Sequence, residues 1–320
     1  MTIDGCWRMP LRFDMGTMTG LTPKVKIPGA ALAVAAMVLV QLGAALSTHL
    51  FAAVTPAGSV WIRVSVASAL LLVLTRPVLR AIPRRILLTL LALGVLTAVM
   101  MLTFIESVAR IPLGTAAAIQ FAGPLTLAAV KSRRLGGLIW PALALLGVLA
   151  LTQPWAGPLD LVGIGFALAS AAGWAGYIML TQRVGNQLSG LQGLALSLAI
   201  SAVVIAPFGA PAAIAGMTPL VALEGAGLAL LIPLLPFSLE LVALRRMTVA
   251  AFGTLMALEP AVATAIGLIV LAQSPNLLQM IGIALVVIAG IGAQRLRVDI
   301  RGEIRGESDR GVIKRELPIG

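Results

Sequence analysis

The feature that most constrains this chain is a succession of apolar runs, each close to the length needed to cross a lipid bilayer. They cover Pro28–Phe51, Gly58–Leu74, Ile86–Ala109, Pro112–Val130, Leu135–Thr152, Leu161–Leu180, Leu191–Phe208, Leu220–Leu244, Thr248–Leu271 and Leu277–Gly292. A helix of about 20 residues spans the ~30 Å hydrocarbon layer. The spacing therefore predicts an all-α polytopic membrane protein with ten transmembrane helices. Composition agrees: of 320 residues, 59% are hydrophobic and only 11% charged, against about a quarter charged in a soluble domain.

The positive charges test the count. Of the 23 Lys and Arg residues, all but Arg63 and Arg110 fall in the N-terminal leader, the C-terminal tail or alternate connections. The intervening connections 52–57, 153–160, 209–219 and 272–276 carry none. Positive residues stay cytoplasmic during insertion. This asymmetry predicts a plasma-membrane protein with ten spans and both termini cytoplasmic, and it assigns the net charge of +11 to topology rather than to nucleic-acid binding. The tails, 1–27 and 295–320, read as polar, unpacked cytoplasmic segments. Between them lie two halves, 28–154 and 155–294.

The halves echo each other. Ile111–Val130 reads IPLGTAAAIQFAGPLTLAAV and Met247–Ile266 reads MTVAAFGTLMALEPAVATAI, so that Pro124 falls on Pro260. Nearby, Glu106-Ser107-Val108-Ala109 falls on Glu240-Leu241-Val242-Ala243. The offset equals five helices. Because five is odd, the second copy enters the membrane from the opposite side, as in inverted-repeat transporters.

Glu259, followed by Pro260, stands in the middle of the otherwise apolar run Thr248–Leu271. A carboxylate near the bilayer centre costs at least ~2.5 kcal/mol, and Pro260 removes a backbone donor. Glu259 is thus expected to face a polar cavity and bind substrate or a proton, or else to be held structurally by a neighbouring helix. Gln120 and Pro124 would form the opposing polar wall, unless Gln120 only ties helices together. Pro233 and Pro236 should interrupt their span, exposing carbonyls beside Glu240. Glu240 and Glu106 are read as coupling carboxylates or as residues reaching the interface. Trp174, Tyr177 and Thr181 share a helix face, which suits an aromatic wall or ordinary packing. Gln41, Thr48 and His49 add polar character to the first helix. Arg63 pairs with Glu106 as a gate, or snorkels to the headgroups.

Soluble-type catalytic motifs are missing. No GxxxxGK[ST], HExxH, CxxC or GxSxG occurs, and Cys6, His49 and Tyr177 are each alone of their kind. No enzyme activity, cofactor or metal is expected.

The stretch PLLPFSLELVALRRMTVAAFGTLMALEPAVATAIGLIVL resembles the second EamA repeat of the drug/metabolite transporter superfamily, and within it the threonine/homoserine exporter branch. SVARIPLGTAAAIQFAGPLTLAAVKSRR and AAGWAGYIMLTQRVG match as well. The resemblance implies two inverted five-helix repeats around a cavity reached from alternate sides. It implies export of small amino acids or related metabolites by proton antiport; a drug, a nucleobase or another small metabolite is the alternative cargo. The family's central LEP element falls on Leu258-Glu259-Pro260, and its PLG…GP helix runs from Pro112-Leu113-Gly114 to Gly123-Pro124. Two positions depart from the branch: Gln120 stands where Glu is frequent, and Leu271-Ala272-Gln273 where Leu-Gly-Glu is common.

Overall fold

The computed structural model describes residues 28–77, 83–132, 139–153, 155, 159–185, 191–247, 252 and 255–293. The basic tails and most connections rich in Lys and Arg lie outside them. Among the described residues every regular element is helical. In chain order these are α1 (Gly29–Ser47), α2 (Phe51–Thr75), α3 (Arg84–Val108), α4 (Leu113–Ser132), α5 (Ile139–Thr152), α6 (Leu161–Gly185), α7 (Gln192–Ala215), α8 (Pro219–Ala229), α9 (Leu235–Arg246), α10 (Glu259–Leu271) and α11 (Leu277–Ala293).

Five stretches are long and apolar enough to cross a membrane: Gly29–Thr75, Arg84–Val108, Leu161–Thr181, Gln192–Ala215 and Pro219–Glu240. The remaining apolar helices are shorter. Large hydrophobic side chains face outward on long and short helices alike, among them Val203, Ile269 and Leu277. That is the surface expected where hydrocarbon replaces water as solvent. The protein is a multi-pass membrane protein.

Helix ends follow local chemistry. Thr218 accepts a hydrogen bond from the Val221 N–H and Pro219 takes the first turn of α8, a standard cap for a helix start. Asp160 does the same for α6 through the Gly163 N–H. Asn276 and Gln279 cap α11 reciprocally, each side-chain oxygen accepting the other's backbone N–H at 2.9 Å.

Three irregularities differ from simple alternation of spans and loops. The first is at 52–57, expected as a loop. There the chain stays helical through a short 3-10 turn (Thr48–Leu50) and bends only at Thr55, whose φ of 62° lies before Pro56. At 1.5 Å per residue the 47 residues from Gly29 to Thr75 far exceed the thickness of a bilayer. The second is a π-type turn, Leu230–Leu234, joining α8 to α9 with an extended residue at Ile232 before Pro233. The third separates Met256 from α10: the backbone turns at Ala257–Leu258 and restarts as a helix at Glu259.

Packing pairs the halves. α2 lies against α7, and α4 against α10. α3 packs on α6 and α7; correspondingly, α8 and α9 pack on α2 and α1. α4 packs on α6, and α10 on α1. Small residues set the closest crossings. A Cβ on Gly123 would run into the backbone carbonyl of Ala171, so α4 meets α6 there without any intervening side chain.

Candidate functional site

Glu259 is the acidic residue of the first turn of α10, with Pro260 beside it. Pro fits that turn because its missing N–H would have no intrahelical acceptor there. The positive end of the helix dipole meets the carboxylate, which partly offsets the cost of placing an acid in this layer. The structure thus puts Glu259 at the start of a half-helix rather than in the middle of a continuous one.

The Glu259 side chain is only 8% exposed. Its Oε1 accepts a hydrogen bond from Gln41 Nε2 at 3.1 Å, between two residues 218 positions apart in sequence. Gln41 is fully buried on α1. The two remaining oxygens of this pair, Glu259 Oε2 and Gln41 Oε1, have no hydrogen-bond partner. The amide oxygen accepts only, and so does the carboxylate oxygen while it is ionised. Buried polar atoms are normally satisfied, so a contact that leaves one oxygen on each partner without a donor stands out.

One predicted residue, Glu240, lies near this pair, and two more stand on α6. Glu240 of α9 is close enough to act electrostatically on both Glu259 and Tyr177. Tyr177 of α6 faces Thr181 on its own helix and stacks at a tilt on Phe237, centroids 6.4 Å apart. Trp174, one turn before Tyr177, meets Phe121 edge-on at 6.2 Å and packs on the cluster holding Ala257. The interrupting Pro233 sits in the turn between α8 and α9, with Pro236 in the first turn of α9.

Other predicted residues lie elsewhere or act differently. Gln120 donates from Nε2 to Ser170 Oγ at 2.7 Å, and Ser170 Oγ donates onward to the Met100 carbonyl at 2.9 Å. This chain ties α4, α6 and α3 together. Pro124 lies inside an unbroken α4. Arg63, 1% exposed, donates from a terminal nitrogen to Ser47 Oγ at 3.0 Å, and its Nε is unpartnered. Glu106 lies beside Arg110 and the Ala57 N–H, and the Arg110 guanidinium rests over the Phe166 ring at 5.7 Å. His49 is exposed where α1 runs into α2.

Sequence reading did not anticipate Ser170 or Ser47, whose hydroxyls are unremarkable in an Ala- and Ser-containing helix. It noted Gln41 but could not assign its partner. The reciprocal cap at Asn276 and Gln279 was legible from their spacing, which is that of a capping box.

Apolar helices that cross a membrane and bring a buried acid against a glutamine of another helix are the frame into which the comparisons with known proteins fit. The EamA-like transporter family matches residues 161–292. The threonine/homoserine exporter RhtA of Salmonella typhimurium (strain SL1344) is 34% identical over 262 residues, covering 81% of this chain and 88% of that protein. RhtA of Escherichia coli (strain K12) is 34% identical over 266 residues, with the same coverage. The chain belongs to the EamA-like transporters of the drug/metabolite transporter superfamily, in the RhtA-like branch. One crystal structure, 16% identical, covers 86% of this chain and 98% of its own with a TM-score of 0.55, a likeness of fold alone.

Proposed function

We propose that this chain exports small amino acids of the threonine/homoserine kind across the plasma membrane in exchange for protons, and that Glu259 binds the substrate ammonium or the proton. The observation carrying this is the pair of buried, donor-less acceptors, Glu259 Oε2 and Gln41 Oε1. A group that only donates, such as an ammonium, completes them; so does a proton on the carboxylate. The names of the 34% identical relatives support the cargo class.

The architecture proposed is ten spans in two inverted repeats, 28–154 and 155–294, with both tails cytoplasmic. The mirrored packing supports it: α1, α2, α3, α4 and α5 would correspond to α6, α7, α8–α9, α10 and α11. The Lys and Arg asymmetry supports the orientation. Glu240, Tyr177, Trp174 and Gln120 would line or brace the path. Pro124, Pro233, Pro236 and Pro260 would shape its walls, and Arg63 and Glu106 would act nearer one end. The test is efflux of labelled threonine and homoserine from cells expressing the wild type or Glu259→Gln. Export by the wild type with loss in the variant is expected. Unchanged export by the variant removes Glu259 from the mechanism.

A second reading, export of a drug, nucleobase or other small metabolite by the same fold, draws on the aromatic rings of Phe121, Trp174, Tyr177 and Phe237. Resistance conferred against cationic drugs, but not against toxic amino-acid analogues, would favour it.

A further inference from the structure

A cavity of about 210 Å³ opens where α4 begins and α10 ends, closed on its other sides by α5, the 272–276 connection and α11. Its polar lining includes Thr115, Thr264, Gln273 and Gln279, with Gly114 and Pro112 at the start of α4. Among the described residues none that lines it is charged. It is smaller than the ~300 Å³ at which drug-sized pockets begin, so its occupant has only a handful of heavy atoms.

The free hydrogen-bonding groups at the start of α4 are two backbone donors and a hydroxyl, and the Ser274 hydroxyl stands on the opposite wall. The first N–H of α4, on Leu113, is taken by Gln273 Oε1 at 3.0 Å. The Gln273 backbone N–H donates to the Gly267 carbonyl at 3.0 Å, after the left-handed turn at Ala272. The Ala116 N–H returns to the Pro112 carbonyl. Between them, the N–H groups of Gly114 and Thr115 have no acceptor among the described residues. The Thr115 side chain is 6% exposed, and its hydroxyl makes no hydrogen bond among the described residues. The other threonine of the wall is satisfied, its hydroxyl donating to the Pro260 carbonyl at 2.8 Å. Two backbone donors and one hydroxyl therefore stand unpartnered within the first turn of a 20-residue helix, at its positive end, and none of the lining residues is acidic.

We propose that this cavity binds a small carboxylate. Two carboxylate oxygens use two amide donors and a hydroxyl, and the helix dipole supplies the charge complement. A cation finds no anionic partner here. In the exporter proposed above, the occupant is the carboxylate end of the amino acid as it passes this end of the bundle. The cargo named here rests on that reading; the donor geometry does not.

The test uses Ser274→Cys, an exposed residue of the cavity wall, in the full chain with Cys6→Ser, since Cys6 is the only native cysteine. Labelling by a small methanethiosulfonate reagent is timed in membrane vesicles at constant chloride. Acetate and L-threonine should slow it, and L-threonine amide, which lacks the carboxylate, should not. Adding Thr115→Val should weaken protection by roughly tenfold or more, as loss of a hydrogen bond to a charged group does, while Thr115→Ser keeps it. Equal protection by acid and amide, or protection indifferent to Thr115→Val, overturns the site. The acid-against-amide comparison needs no change at Thr115, so a poorly folded Thr115→Val leaves the proposal open to refutation. Carboxylate protection without any threonine or homoserine efflux keeps the site and overturns the exporter reading. Efflux without protection overturns the site alone.

Discussion

Two helix crossings in this protein are built alike and finished differently. At one, α10 meets α1 and Glu259 is held by Gln41. At the other, α4 meets α6 and Gln120 is held by Ser170. The α4/α6 crossing passes its hydrogen bond onward to the Met100 carbonyl, and none of its side-chain atoms is left buried without a partner. The α10/α1 crossing stops short: one oxygen on each partner has nothing to accept from. A polar pair closed on itself holds helices together, whereas a pair left one donor short can take a ligand. The difference lies in the bonds each side chain makes, and not in residue type, since a glutamine serves at both.

Four substitutions break or sharpen that contrast. The largest effect is expected for Glu259→Gln, which keeps the shape and removes the charge. Threonine and homoserine efflux should fall by at least roughly tenfold, the loss that goes with about 1.4 kcal/mol of binding. Protein levels in the membrane should hold, which an immunoblot checks. Next comes Gly123→Ala at the closed crossing. Its new methyl would collide with the Ala171 backbone, and overpacking of that kind costs about 1–3 kcal/mol. A lowered thermal midpoint in detergent would register it, and an unchanged midpoint would mean that the α4/α6 contact is looser than described. Ser170→Ala should cost less, about 1 kcal/mol, by stranding the Gln120 amide and the Met100 carbonyl. If the α4/α6 crossing only braces the bundle, efflux per folded molecule should stay near wild type. A large efflux defect would instead make it part of the path. Smallest of all is Ile269→Val on the exposed face of α10, within about 0.5 kcal/mol of wild type in the same melt.

Much of the fold is legible in the sequence because hydrocarbon leaves the backbone little choice. An apolar run of sufficient length must satisfy its own hydrogen bonds as a helix. Hence the apolar runs and the described helices agree closely, including the interruption by Pro233 and the connection at 272–276. The segment 52–57 was misjudged for a physical reason. It was expected as a connection because it lies between two apolar runs, but a proline near a helix start is tolerated, and a single residue, Thr55, takes up the bend. Glu259 stood out for a similar reason, since a lone acid in an apolar stretch needs an explanation. Gln120 stood out equally and turned out to be tied to Ser170, with no side-chain atom left buried without a partner.

By itself, then, the sequence determined that this is a membrane-embedded helical protein of the EamA-like kind, and which acid is anomalous. Length, hydropathy and placement of charge act along the chain and can be read along it. Only the tertiary structure decided which polar atoms are satisfied and which are not. That depends on contacts such as Gln41 with Glu259, 218 residues apart, and on where α10 restarts. In helices apolar on nearly every side, no periodicity says which face meets which neighbour, so the unfilled acceptors emerge only when the helices are packed.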